Sequence, residues 1–102
     1  MARQVTRFKF DKPESFTFPS SRGEVVIRRN QFQIGMWDLL IDRKIVRSAA
    51  YSDPREAAEQ VGRNDLGDES LNLRYAGLFV PTDLDKWKHS LGSEFLPTNR
   101  GN

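Results

Sequence analysis

The segment from Met36 to Gly62, MWDLLIDRKIVRSAAYSDPREAAEQVG, decides the predicted fold of this chain. Apolar and polar residues alternate on both sides of Asp42 and Arg43, a pattern that is typical of a β-hairpin with a two-residue turn. Such turns need positive φ angles and commonly contain glycine, so we expect Arg43 to be strained or the loop to be longer. The partner strand is predicted from Lys44 to Tyr51.

The first strand of the hairpin has two different faces. Its alternating residues are Trp37, Leu39 and Ile41 on the predicted core face, and Asp38, Leu40 and Asp42 on the predicted solvent face. On an extended strand Asp38 and Asp42 would be roughly 13 to 14 Å apart. Glycoside hydrolases hold their carboxylates about 5 to 9.5 Å apart, so we expect this pair to be solvated and not catalytic.

A short helix is predicted directly after the hairpin. Asp53 suits the N-cap, Pro54 the first helical position and Glu56 the third position of a capping-box variant, and Gly62 suits the end. A face of small residues, Ala57, Ala58 and Val61, allows this helix to pack closely on the sheet.

The second half of the chain is less regular. Residues 62 to 70 are predicted to form a loop, and residues 71 to 80 suit a strand or a helix equally well. A second helix is predicted from Thr82 to Gly92, with Leu84, Trp87 and Leu91 on its apolar stripe and His89 near its end. Trp37 and Trp87 are both expected to be buried.

The first 35 residues contain shorter alternating segments. Phe8 and Phe10, and later Phe16 and Phe18, have the spacing of two strands or a hairpin. A turn is predicted from Ser20 to Gly23 and a further strand from Glu24 to Arg28, which Phe32 and Ile34 are expected to continue.

Together these segments predict an α+β fold, an antiparallel sheet of three to five strands with two short helices packed against it. The 102 residues suit a single domain, 1–102, in which residues 1–20 form peripheral strands and 93–102 a flexible tail. The absence of cysteine excludes disulfides and thiolate ligands. We expect a cytoplasmic protein, because no signal-peptide or membrane-spanning pattern is present.

Charge is distributed unevenly along the chain. Residues 1 to 35 contain seven basic and three acidic residues, whereas residues 36 to 102 contain nine basic and eleven acidic residues. A basic N-terminal part and a more acidic remainder are consistent with contact with an acidic protein or with nucleic acid. They are equally consistent with an ordinary solvated surface.

The sequence contains no combination of residues that predicts catalysis. His89 is the only histidine, and no phosphate-binding glycine motif occurs. The best oxygen cluster, Asn64, Asp65, Asp68 and Glu69, lacks the alternating ligand pattern of a calcium loop. We therefore expect no enzymatic activity, no metal and no cofactor.

Three motifs resemble those of small uncharacterised bacterial and phage proteins that share a hairpin, an Ala-Ala helix and a Pro-x-Asp-Leu-x-x-Trp segment. The motifs are W-x-L-x-x-D, S-D-P-R-E-A-A and P-T-D-L-x-x-W, between residues 36 and 88. The resemblance implies a bacterial or phage origin and no particular activity.

Protein binding is the predicted function, in an inhibitor, adaptor or immunity-type role. Seven of the eleven aromatic residues are phenylalanine and five of these precede Gly35, so they either complete a thin core or belong to an interface. The predicted partner-binding residues are Arg7, Phe8, Phe10, Phe16, Phe18, Arg28, Arg29, Arg43, Lys44 and Arg47. The sequence does not identify the partner or the oligomeric state.

Nucleic-acid binding through a basic sheet or hairpin surface is the alternative. Three strands followed by a helix resemble the layout of plant ethylene-response-type DNA-binding domains, whose sheet enters the major groove. Asp38 and Asp42 would then face phosphates, which argues against this use of the sheet.

Overall fold

A computed structural model describes residues 13 to 92. Its elements are β1 (Ser15–Ser20), β2 (Gly23–Arg29), β3 (Trp37–Ile41), β4 (Lys44–Tyr51), α1 (Pro54–Gly62), α2 (Glu69–Arg74), a 3₁₀ helix (Leu84–Lys86) and β5 (Lys88–Ser90). The strands form one antiparallel sheet in the order β4-β3-β2-β1-β5. The predicted α+β class is therefore confirmed, while the predicted strands before residue 13 and the tail 93–102 lie outside the described residues.

The β3–β4 hairpin has the predicted turn. Asp42 and Arg43 have φ angles of 53° and 68°, so both residues adopt the left-handed conformation that a two-residue hairpin turn requires. The predicted core face of β3 is confirmed, because Trp37, Leu39 and Ile41 are all buried.

The core lies between the inner face of the sheet and α1. It contains Val25, Ile27, Trp37, Leu39, Ile41, Tyr51, Ala57, Ala58, Val61, Leu66, Leu78, Val80, Leu84 and Trp87. Trp37 and Trp87 are each 5% exposed, which confirms the expectation that both tryptophans are buried.

Helix α1 begins and ends close to the predicted positions. The Asp53 carboxylate accepts a hydrogen bond from the Arg55 N–H, and Pro54 opens the helix. At the other end, a Cβ atom on Gly62 would lie 2.7 Å from Cγ2 and 2.9 Å from Cα of Thr82. Only glycine allows this close approach between α1 and the segment that leads to β5.

The predicted helix from Thr82 to Gly92 is wrong. The segment forms only a 3₁₀ turn at Leu84–Lys86 before Trp87 becomes extended, and the following residues pair with β1 as β5. The Trp87 indole N–H donates to the Pro81 carbonyl at 3.0 Å, and its ring packs beside Phe18. Pairing with β1 satisfies backbone groups that a helix would leave exposed at the sheet edge.

The region between α1 and the 3₁₀ helix contains the second α-helix. Residues 62 to 70 were predicted to form a loop, but α2 begins within them, at Glu69. The Asp68 carboxylate caps it by accepting hydrogen bonds from the backbone N–H groups of Ser70 and Leu71. Residues 71 to 74 of this helix belong to the segment for which strand and helix were equally favoured.

The predicted solvent exposure of Leu40 is wrong, because this residue is buried. The predicted solvation of Asp38 is also wrong. Its side chain is 4% exposed and lies at an irregular part of the β3–β4 ladder, where the register shifts twice. Ala49, with φ 48°, directs its N–H to Asp38 Oδ1 at 2.7 Å, so the carboxylate satisfies a backbone donor on the bulged strand. Asp42 is exposed in the hairpin turn, as predicted.

Candidate binding surfaces

The loop between β2 and β3, residues 30 to 36, has an internal network of hydrogen bonds. Asn30 Oδ1 accepts from the N–H groups of Phe32 and Gln33 at 2.8 and 2.7 Å. The Asn30 N–H donates to the Met36 carbonyl and the Met36 N–H to the Gln33 carbonyl. An asparagine side chain thus replaces a backbone acceptor and closes the loop.

This β2–β3 loop is tied to the sheet through Asp38. The Asn30 amide donates from Nδ2 to Asp38 Oδ1 at 2.8 Å, and Arg28 Nε donates to Asp38 Oδ2 at 3.2 Å. The carboxylate therefore connects the loop, β2 and the β4 bulge.

The β2–β3 loop exposes two large apolar side chains. Phe32 is 83% exposed and Ile34 is 99% exposed, two residues apart on this fixed backbone. The prediction that they continue β2 is wrong, because the Asn30 turn ends the strand. Large apolar groups displayed in this way are typical of residues that enter a pocket on a partner.

A polar and aromatic cluster lies at the same end of the sheet. Glu14 accepts from Arg29 Nε at 2.8 Å, and His89 Nε2 lies 2.7 Å from its other oxygen. Arg29 lies over the Trp37 ring, 4.7 Å from its centroid, and His89 stacks on Phe16 at 4.4 Å. Partial burial raises the pKa of Glu14, but the hydrogen bonds from His89 and Arg29 outweigh it and hold that pKa below its ordinary value.

Two of the predicted partner-binding phenylalanines pack against the core. Phe16 lies 5.9 Å from Trp37 and Phe18 lies 5.8 Å from Trp87, and both are half-buried. For these two residues the structure supports the alternative that they complete the core. Arg7, Phe8 and Phe10 lie outside the described residues.

The predicted basic residues fall into separate groups. Arg28 and Arg29 lie where β2 meets the β2–β3 loop and donate to Asp38 and Glu14. Arg43 and Lys44 lie at the opposite end of the sheet, in the β3–β4 turn and its exit. Arg47 lies between them, opposite Leu39, and donates to the Leu66 carbonyl at 3.0 Å.

A small cleft beside the β3–β4 turn was not foreseen. It has a volume of about 220 Å³ and is lined by Arg22, Ile41, Asp42, Lys44, Arg74 and Tyr75. The residues come from two turns, two strands and the end of α2. No sequence pattern links Arg22 to Arg74, so only the folded chain brings them together.

Two further exposed apolar side chains lie on and after α2. Leu73 is 77% exposed, and Phe79 is 91% exposed with a φ of 56°. Phe79 lies between the buried residues Leu78 and Val80, in a left-handed backbone conformation that is uncommon for an aromatic residue.

The residues that the sequence offered as catalytic or metal-binding candidates are separated in the structure. His89 lies on β5, not on a helix, and Glu14 is the carboxylate that it contacts. Within the predicted oxygen cluster, Asp68 caps α2. Its hydrogen bonds lower its pKa, and the bond from the Ser70 hydroxyl has the largest effect. Between residues 13 and 92, no group of three or more histidine, cysteine, aspartate and glutamate side chains is arranged to hold a metal ion.

None of the helices within residues 13 to 92 is sufficiently long and apolar to cross a membrane. Comparison of the chain with protein-family models, curated proteins and solved structures gave no significant match.

Proposed function

We propose that this protein is a noncatalytic protein-binding module that contacts its partner through Phe32 and Ile34. The observation that carries this proposal is the nearly complete exposure of both side chains on a loop whose backbone is closed by hydrogen bonds. A flexible loop would lose conformational entropy on binding, whereas this loop is already ordered.

The size of the two side chains supports the proposal. Fully burying a phenylalanine or isoleucine contributes about 1.5 to 3 kcal/mol each. Aromatic residues are also enriched among the few residues that dominate the free energy of protein association. The partner surface is therefore an apolar pocket that accepts an aromatic ring and a β-branched side chain.

The biological role follows from this mode of action. Occupying a surface of another protein suits an inhibitor, an adaptor or an immunity-type factor, and a bacterial or phage origin is part of the same proposal. In this proposal the contact between His89 and Glu14 has a structural role, because it links β5 to the start of β1.

Nucleic-acid binding through the sheet has less support. Arg28 and Arg29 already donate to carboxylates, and they lie at the opposite end of the sheet from Arg43 and Lys44. A duplex-binding surface needs a continuous row of cations that are available to phosphates.

The test is affinity capture from extracts of cells in which the protein occurs, followed by mass spectrometry. The bait proteins are the wild type, the double variant Phe32→Ser/Ile34→Ser and the control Leu73→Gln. Leu73 is also exposed and apolar, but it lies on α2, away from the β2–β3 loop. We expect a protein retained by the wild type and by the control, and lost with the double variant.

Three results would contradict the proposal. One is a partner retained equally by the double variant, and another is a partner lost only with Leu73→Gln. The third is steep salt-sensitive capture of nucleic acid that the double variant does not change. Circular dichroism and urea unfolding must show that both variants remain folded.

A further inference from the structure

The cleft beside the β3–β4 turn, which we call the turn cleft, collects three cationic side chains. They come from three places: Arg22 in the β1–β2 turn, Lys44 at the start of β4 and Arg74 at the end of α2. Asp42 is the single carboxylate in its lining, which leaves a net charge of +2.

Arg22 is held in place by the end of α2. Its Nη1 donates to the Ala76 carbonyl at 3.2 Å and its Nη2 to the Arg74 carbonyl at 2.5 Å. The guanidinium also lies 5.8 Å from the centroid of the Tyr75 ring. The Arg22 charge is therefore fixed at the wall of the cleft.

Lys44 and Arg74 have available hydrogen-bond donors. Within residues 13 to 92, neither side chain makes an ion pair or a hydrogen bond. Three cations that share a small cleft repel one another, and a bound anion would remove this repulsion.

We infer that the turn cleft is a binding site for a phosphate group, either free or as a monoester. A phosphate monoester carries a charge of about −1.5 to −2 near pH 7, which matches the charge of the lining. Its oxygens are close together, so Lys44 and Arg74 can donate to one group at the same time. An acidic peptide spaces its carboxylates along a strand and would bring them to this cleft one at a time.

The site is independent of the proposed protein contact. The β2–β3 loop and the turn cleft lie at opposite ends of β2 and β3. Failure of one proposal therefore leaves the other intact, and Phe32→Ser/Ile34→Ser should bind phosphate as the wild type does.

The experiment is a titration with inorganic phosphate, followed by ¹H–¹⁵N NMR of the full chain at constant ionic strength. We expect saturable shifts of the amide signals of residues 22, 42–44 and 74–76, with a dissociation constant of about 1 mM. Lys44→Gln/Arg74→Gln should weaken binding by about tenfold or more, because it removes both charged donors.

A matched control and two further ligands complete the test. Arg55→Gln/Lys86→Gln removes the same charge from exposed positions outside the cleft and should change the affinity by less than about threefold. A nucleoside monophosphate that binds more tightly than inorganic phosphate would identify an ester as the better ligand. Weaker binding of the nucleotide would identify the free anion, and equal binding would show that the site recognises the phosphate group alone.

Other outcomes would overturn the inference. Succinate is a dianion near pH 7 and serves as the comparison. Succinate binding as tightly as phosphate would show that the site has no preference for phosphate. An absence of saturable shifts, or equal weakening in the two double variants, would show that the cleft has no phosphate site.

Discussion

The carboxylate of Asp38 accepts three hydrogen bonds, from Arg28, Asn30 and the backbone of Ala49. Replacing Asp38 with alanine would leave three partly buried donors without this buried acceptor. We expect Asp38→Ala to lower the free energy of unfolding by about 3 to 5 kcal/mol, measured by urea denaturation.

Asp65 provides the control for this measurement. It is exposed, and its side chain makes no hydrogen bond or ion pair within residues 13 to 92, so Asp65→Ala should change the stability by less than about 0.5 kcal/mol. Equal effects of the two substitutions would contradict the role assigned to Asp38.

The ionisation of Glu14 makes the free energy of unfolding depend on pH. Because its pKa is lowered in the folded state, its ionised form stabilises the fold above the unfolded pKa of about 4.3. This stabilisation is lost as the pH falls through the folded pKa. In urea unfolding between about pH 5 and 3, Glu14→Gln should therefore lose less stability than the wild type. Parallel curves for the two proteins would contradict this assignment.

The alternation of β3 predicted its core residues but not the burial of Asp38. Strand alternation assigns a residue to a face, and Trp37, Leu39 and Ile41 follow that rule. Whether the other face is exposed depends on its neighbours. The β4 bulge and the Asn30 side chain enclose Asp38, and neither is visible in the spacing of β3.

The β3–β4 turn contains a residue in an unfavourable conformation. Arg43 has a φ of 68°, where glycine is preferred. We expect Arg43→Gly to raise the free energy of unfolding by about 0.5 to 1 kcal/mol, because the lost strain outweighs the greater freedom of the unfolded chain. A lower midpoint of urea unfolding would show that the Arg43 side chain stabilises the hairpin.

The contact between α1 and the segment before β5 depends on Gly62. Alanine favours a helix by about 1 kcal/mol over glycine, but here its Cβ would meet backbone atoms of Thr82 at 2.9 Å. We expect Gly62→Ala to lower the free energy of unfolding by about 1 to 3 kcal/mol. Glu59→Ala, at an exposed site on the same helix, is the control, and a stabilised Gly62→Ala protein would refute the close contact.

Elements with several local signals were predictable, and those fixed by distant contacts were not. Asp53, Pro54 and Gly62 mark the ends of α1 within the segment itself. Leu84 and Trp87 have helical spacing and are buried, yet the chain after them is a strand, because it completes the edge of β1. The sequence near residue 88 contains no information about that free edge.

In the whole molecule, the two candidate surfaces lie at opposite ends of one sheet. The β2–β3 loop exposes Phe32 and Ile34, and the turn cleft collects Arg22, Lys44 and Arg74. The sequence indicated an excess of aromatic residues before Gly35 and the basic pair at the hairpin. It did not distinguish core from surface phenylalanines, because Phe16, Phe18 and Phe32 all have strand-like spacing. Their burial depends on which elements pack on each of them.

The most direct test of the proposed function is the dissociation constant of the captured partner, measured by isothermal titration calorimetry. We expect Phe32→Ser/Ile34→Ser to raise this constant by about a hundredfold or more, because truncating two central anchors commonly costs at least 2 kcal/mol each. Leu73→Gln should leave it unchanged. An unchanged dissociation constant for the folded double variant would contradict the account, since the β2–β3 loop would then not be the binding surface.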